Sequence, residues 1–167
     1  DGYTLLYGTN GTLAINQTLY KKPGFAPLVD FQPVAQLTRI AAMVVVRPGL
    51  PVTTMADLVK LLTSSPGKYT FASAGNGTTS HLAGEILKAS TGAAVVHVPY
   101  RGGAPAMTDL IGGQVDLMID VMPNTVPQVK GGRLRGLAVT TATRVATWPD
   151  MPTVAESGVK DFDVSAW

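Results

Sequence analysis

Small hydroxyl residues, glycines and one histidine are concentrated in Tyr69-Thr-Phe-Ala-Ser-Ala-Gly-Asn-Gly-Thr-Thr-Ser-His-Leu-Ala-Gly-Glu-Ile-Leu87. The run reads as a short strand over 69–72, a loop over 73–78 and then a helix. Leu82 and Ile86, with Ala83 and Leu87, give that helix an apolar face at i,i+4 spacing. Gly75 and Gly77 permit backbone angles that other residues resist, and they remove side chains that would block a ligand. Thr78, Thr79 and Ser80 are each competent N-caps. The first-turn amides of a helix have no partner within it and lie at the positive end of its dipole, so this arrangement can hold an anion through peptide nitrogens at 75–78. The same residues also serve an ordinary strand-to-helix connection, and the sequence leaves both readings open.

Other chemistries find less support. A phosphate-binding Walker loop needs a lysine that the stretch from Asn76 to Ser80 lacks. The dinucleotide fingerprint needs a third glycine where Ser80 stands and an acidic residue where the chain has His97. Ser73, His81 and Asp120 are the components of a hydrolytic triad, but Ala72-Ser73-Ala74 is not the Gly-x-Ser-x-Gly elbow. The helix dipole also opposes a protonated His81. With two histidines, no HExxH and no paired-carboxylate pattern, no metal site is expected, and no cofactor. His97, inside an apolar run, reads as a hydrogen-bonded sheet residue. Tyr100 and Arg101 fit a ligand rim, Arg101 as a bidentate carboxylate partner or as a solvated loop residue. Asp120 ends an apolar strand, where it either accepts a hydroxyl or ammonium from a ligand or caps the next helix.

These residues need a scaffold, and the chain supplies one with a rhythm. Helix, stop and strand follow one another three times. A helix begun by the Thr54–Asp57 capping box stops at Pro66-Gly67; one from Pro105 stops at Gly112-Gly113; one from about Pro123 stops at Gly131-Gly132. Such units predict an α/β fold with a largely parallel sheet. Tyr3–Tyr7 reads as a further strand opening into Gly8–Thr12 and a short helix through Leu19, and Ile40–Val46 as a buried strand. Gly8–Thr12, Ser73–Thr78, Pro99–Gly103 and Asp120–Asn124 each follow the carboxyl end of a predicted strand. That edge is where open α/β sheets bind ligands.

Composition sets the outer limits. The 167 residues are 46% hydrophobic and 14% charged with a net charge of +2, which suits a packed core and gives no surface for nucleic acid. No cysteine is present, so neither disulfides nor thiolate metal sites form. Asp1-Gly2-Tyr3 reads as the middle of a protein, and the chain stops inside a strand-like run at 162–167.

Nine ordered motifs carry a resemblance across the chain. They are Asp1-Gly-Tyr-Thr-Leu-Leu6, Gly8-Thr with Ala14-Ile-Asn16, Asp30-Phe-x-Pro-Val34, Pro66-Gly-Lys68, Ala72-Ser-x-Gly-Asn-Gly77 with His81-Leu-Ala-Gly84, His97-Val-Pro-Tyr-Arg-Gly102, Ala104-Pro-Ala106, Gly113-Gln-Val-Asp116 and Pro152-Thr-Val-Ala-Glu-Ser-Gly158. Together they resemble the Bug (TctC) family, the extracytoplasmic solute receptors of tripartite tricarboxylate transporters. The resemblance implies a periplasmic-binding-protein-like (type II) two-lobed α/β fold, and a periplasmic protein that hands a small carboxylate to membrane permease subunits without catalysis. By motif, Ser73, Ala74, Gly75, Asn76, Gly77, Thr78 and His81 correspond to the second-lobe anion loop. Thr9, Asn10, Gly11 and Thr12 correspond to a first-lobe loop, with Tyr100, Arg101 and Asp120 on the facing rim. Residues 1–47 would be part of lobe 1 and the hinge, 48–139 a nearly complete lobe 2, and 140–167 the return crossing and part of lobe 1. The family's opening segment and closing helices have no counterpart in the chain, so the first lobe is expected as a remnant that favours self-association. A Ser-His hydrolase and the ligand-sensing domain of a transcription regulator are the competing classes.

Overall fold

The computed structural model describes residues 2–167; Asp1, which opens the first of the nine motifs, lies outside them. A π-helical turn (Gly11–Ile15) runs into α1 (Asn16–Leu19), and α2 is a single turn (Pro27–Asp30). The main body follows: β1 (Ile40–Val46), α3 (Met55–Ser64), β2 (Thr70–Ser73), α4 (Thr79–Thr91), β3 (Val96–Pro99), α5 (Gly103–Ile111), β4 (Leu117–Val121), α6 (Met122–Lys130), β5 (Arg135–Val139) and the two-residue β6 (Ser165–Ala166). The strand order is β3-β2-β4-β1-β5, with β6 pairing the start of β1.

Parallel pairing holds for β2 with β3 and with β4, as the helix-stop-strand rhythm requires. β1 departs from it, pairing antiparallel with both β4 and β5. Although α3 links it to β2, β4 lies between the two in the sheet, so β1 is not held to the parallel direction of β2. The division at residue 47 therefore cuts β1 away from the strands it bonds: Met43 faces Asp120 on one side and Val139 on the other. Each face of β1 is covered, which explains its unbroken apolar run. Val44 and Val46 enter one core with Leu58, Leu62, Phe71 and Phe162. Met43 and Val45 enter the other with Met107, Leu110, Met118 and Val139.

The capping box of α3 forms as read, with Thr54 accepting from the Asp57 amide and the Asp57 carboxylate accepting from the Thr54 amide. Two other expectations fail. Tyr3–Tyr7 forms no strand: Tyr3 and Leu5 are largely exposed, and β-prone residues form a strand only where a neighbouring strand completes the ladder. In α4 the buried face is Ser80, Ala83, Gly84 and Leu87, while Ile86 is exposed. The shift comes from Phe71, whose ring lies against Gly84 so closely that a Cβ there would sit 2.3 Å from it.

Candidate functional site

β2 delivers Ser73 to the end of the sheet, and the loop to α4 then folds back on itself. Gly75 and Gly77 both take positive φ, which only glycine adopts without strain. Ser73 Oγ accepts from the Gly75 amide at 3.2 Å and lies 2.6 Å from His97 Nε2. With no other acceptor among the described residues, the Ser73 hydroxyl donates to Nε2, which places the proton of the neutral ring on Nδ1. Burial, then the neighbouring His81, lower the pKa of His97 and favour that neutral ring. His81 Nδ1 accepts from the Gly77 amide at 3.2 Å, and its ring stacks on His97 with centroids 4.3 Å apart. Thr78 takes the N-cap, accepting from His81 N and donating to Gly75 O at 2.7 Å.

The amides of Gly75, Gly77 and Thr78 are therefore already engaged, the last with Gly75 O at 3.3 Å. The sequence reading has peptide nitrogens open across 75–78; of these only Asn76 N meets no acceptor among the described residues. The loop uses its amides to hold its own shape. Open donors come at the next two residues: once Thr78 is the cap, Thr79 and Ser80 occupy the first helical positions, and their amides meet no acceptor among the described residues. Ser80 is only 5% exposed and its hydroxyl has no partner. The sequence offered Ser80 only as an alternative cap; its role appears only after the cap is fixed.

A cavity of about 140 Å³ opens here, lined by Ala42, Ala74, Thr78, Thr79, Ser80, Asp120 and Val121. Asp120 is buried, and its Oδ2 accepts from Asn124 Nδ2 at 2.9 Å in the first turn of α6. The N-cap position falls on Val121, one residue later than a capping role for Asp120 requires. Burial raises the Asp120 pKa above the ordinary aspartate value, against the lowering effect of its bonds from Asn124 and the Val121 backbone.

The loop over residues 9–12 meets the start of α4 directly. The Asn10 side-chain amide both donates to and accepts from the Thr79 hydroxyl, at 3.0 and 3.1 Å. A second cavity of about 320 Å³ lies alongside, with Thr9 to Thr12 on one wall and Asn76 to Thr79 on the other. Trp167 lines it too, and its carbonyl accepts from Asn10 N. No local pattern marks Trp167 for that position.

Two predicted rim residues stand apart from both cavities. The Tyr100 hydroxyl donates to Asp109 at 2.7 Å, and burial together with that bond pushes its pKa up to about 12. Arg101 is exposed and makes no hydrogen bond or ion pair among the described residues. The hydrolytic triad does not assemble, because Ser73 is fully buried and bonds His97 instead of His81. His81, Glu85 and His97 have ligand atoms within 4.8 Å of one another. Their geometry is poor for an ion: the two rings stack, so their in-plane lone pairs do not converge, and Lys88 occupies Glu85 at 2.9 Å.

Comparison with known proteins bears on the family and the fold. The family model described as tripartite tricarboxylate transporter family receptor matches residues 1–167. A UPF0065 protein of Agrobacterium vitis is 42% identical over 167 residues, covering 100% of this chain and 48% of the relative. Protein BugT of Bordetella pertussis is 34% identical over 168 residues, covering 100% and 50%. Among solved structures, Rpa4515 of R. palustris with adipate superposes with a TM-score of 0.94 at 39% identity, over 100% of this chain and 56% of that one. MatC of Rhodopseudomonas palustris with bound malate gives 0.87 at 31%, over 96% and 54%. The chain thus spans about half the length of the relatives it matches. With a family match along its whole length and this shared fold, the chain belongs to the TctC family of tripartite tricarboxylate transporter receptors.

Proposed function

We propose that the protein is a periplasmic solute receptor that captures a small carboxylate and presents it to the membrane permease subunits of a tripartite transporter, without chemical turnover. The observation that carries this is the set of unpaired donors at the start of α4, the Thr79 and Ser80 amides and the buried Ser80 hydroxyl, beside a cavity of carboxylate size. Hydrogen bonds to a charged group contribute about 1.5–3 kcal/mol each, so four at the upper end sum to about 12 kcal/mol and leave the roughly 8 kcal/mol of a micromolar complex after an association cost of about 4 kcal/mol. Relatives of similar fold hold adipate and malate, both dicarboxylates.

The Thr9–Thr12 loop supplies the opposite wall of the larger cavity. Residues 1–47 and 140–167 belong to the first lobe and its crossings and 48–139 to the second, with β1 as the crossing strand embedded in the second lobe's sheet. Calorimetric titration of the intact protein with adipate, malate and the neutral diamide of adipate tests the reading. Saturable binding of an acid but not of the diamide is expected; equal binding of all three, or of none, overturns it. The 167-residue chain alone is expected to bind more weakly than the intact protein, and equal affinities would show that the first lobe contributes nothing.

A further inference from the structure

A carboxyl group lining the cavity that takes an anion is a physical contradiction unless one of the two charges is absent. Asp120 poses that contradiction. It shares the 140 Å³ cavity with Thr79 and Ser80, whose unpaired donors define the anion site. At contact distance, repulsion between two carboxylates outweighs what a single charged hydrogen bond contributes.

We propose that Asp120 contacts the bound solute as a neutral carboxyl and donates its O–H to the solute's carboxylate, so that capture of the anion is coupled to holding a proton. The inference rests on the solute-receptor reading above and adds to it a residue and a linked ion. Asn124 Nδ2 already donates to Oδ2, which leaves the carboxyl without any protein acceptor for its own proton among the described residues. Gly103, at the start of α5, stands so close that a Cβ there would be 3.2 Å from Oδ2, which fixes the group from the side away from α4.

Among the described residues, no charged side chain pairs with Asp120 from an element packed against it. β1 offers Ala42 and Met43, β2 ends in Ser73, α5 begins with Gly103, and α6 presents Asn124. Arg101, two residues before Gly103, makes no ion pair with it. On α4 the ionisable groups are turned elsewhere: His81 to Gly77 and His97, and Glu85 to Lys88. Asp109 of α5 holds Tyr100, and Lys130 of α6 lies over the Trp148 ring. Burial outweighs the two hydrogen bonds that favour the ionised form.

Titrating the intact protein with adipate and malate between about pH 6 and about pH 9, in buffers of different ionisation enthalpy, tests the coupling without any variant. Proton uptake on binding is expected, with affinity falling by up to about tenfold per pH unit as the pH passes the Asp120 pKa. Asp120→Asn keeps a neutral donor and should bind within about threefold of the parent at low pH while losing the pH dependence; Asp120→Ala should lose about tenfold. No proton exchange and flat affinity in the parent protein would overturn the proposal, whether or not a variant folds. Abolished binding in a folded Asp120→Asn protein would also overturn it, pointing to an ionised aspartate that meets a solute ammonium. Absence of binding by either acid at any pH would bring down the receptor reading itself, and this inference with it.

Discussion

Ser80 is a buried hydroxyl with nothing to bond, and the protein pays for that in the empty state. Ser80→Ala should therefore leave the melting temperature unchanged or slightly raised while weakening carboxylate binding about tenfold, since the lost bond is to a charged group. Thermal unfolding and titration of the same sample check the two halves. Gly84 makes the opposite case. A methyl there meets the Phe71 ring at 2.3 Å, and that ring is stacked on His97, so Gly84→Ala should destabilise by about 1–3 kcal/mol in denaturant titration. Gly136→Ala, where the nearest atom is the flexible thioether of Met43 at 2.8 Å, should be milder. The histidines were legible as residues but not as parts: nothing in their spacing tells that His97 fastens Gly75 through Ser73 while His81 holds Gly77 directly.

The helices were the most legible elements, because their ends are written in local chemistry. Thr54 with Asp57, and the paired glycines at 112–113 and 131–132, mark boundaries the structure keeps to within a few residues. Strand direction was less legible. It depends on which neighbour a segment meets, so the lone antiparallel course of β1 and the non-strand course of residues 3–7 leave no local trace. The loop at 73–78 stands out by its glycines, yet the open donors lie at the next two residues, because cap choice among Thr78, Thr79 and Ser80 is settled by packing. At the α3 cap, hydrogen bonds from Thr53 and Thr54 lower the Asp57 pKa. Its contribution is present above the ordinary value of 3.8 and fades as pH falls from there through the lowered folded value. Asp57→Asn should accordingly flatten part of the acid limb of the stability curve, and Thr54→Ala should cost about 1 kcal/mol near neutrality.

At the scale of the whole molecule, apolar side chains are divided unevenly. The sheet is covered on both faces, whereas Tyr3, Leu5, Leu28, Val29, Val34 and Leu37 are all more than 70% exposed. An exposed set of that kind favours association. The isolated 167-residue chain should show a sedimentation coefficient that rises with concentration, and replacing Leu28, Val29 and Val34 with serine should suppress the rise; concentration-independent sedimentation of the unaltered chain would refute this.

Asn10 and Thr79 grip one another through a donor and an acceptor on each side. On the receptor reading, a solute that parts them would have to offer groups of both kinds. Hydrocarbon alone would leave both halves of such a clasp unsatisfied. Selectivity against purely greasy molecules would thus be enforced before any ion pair forms.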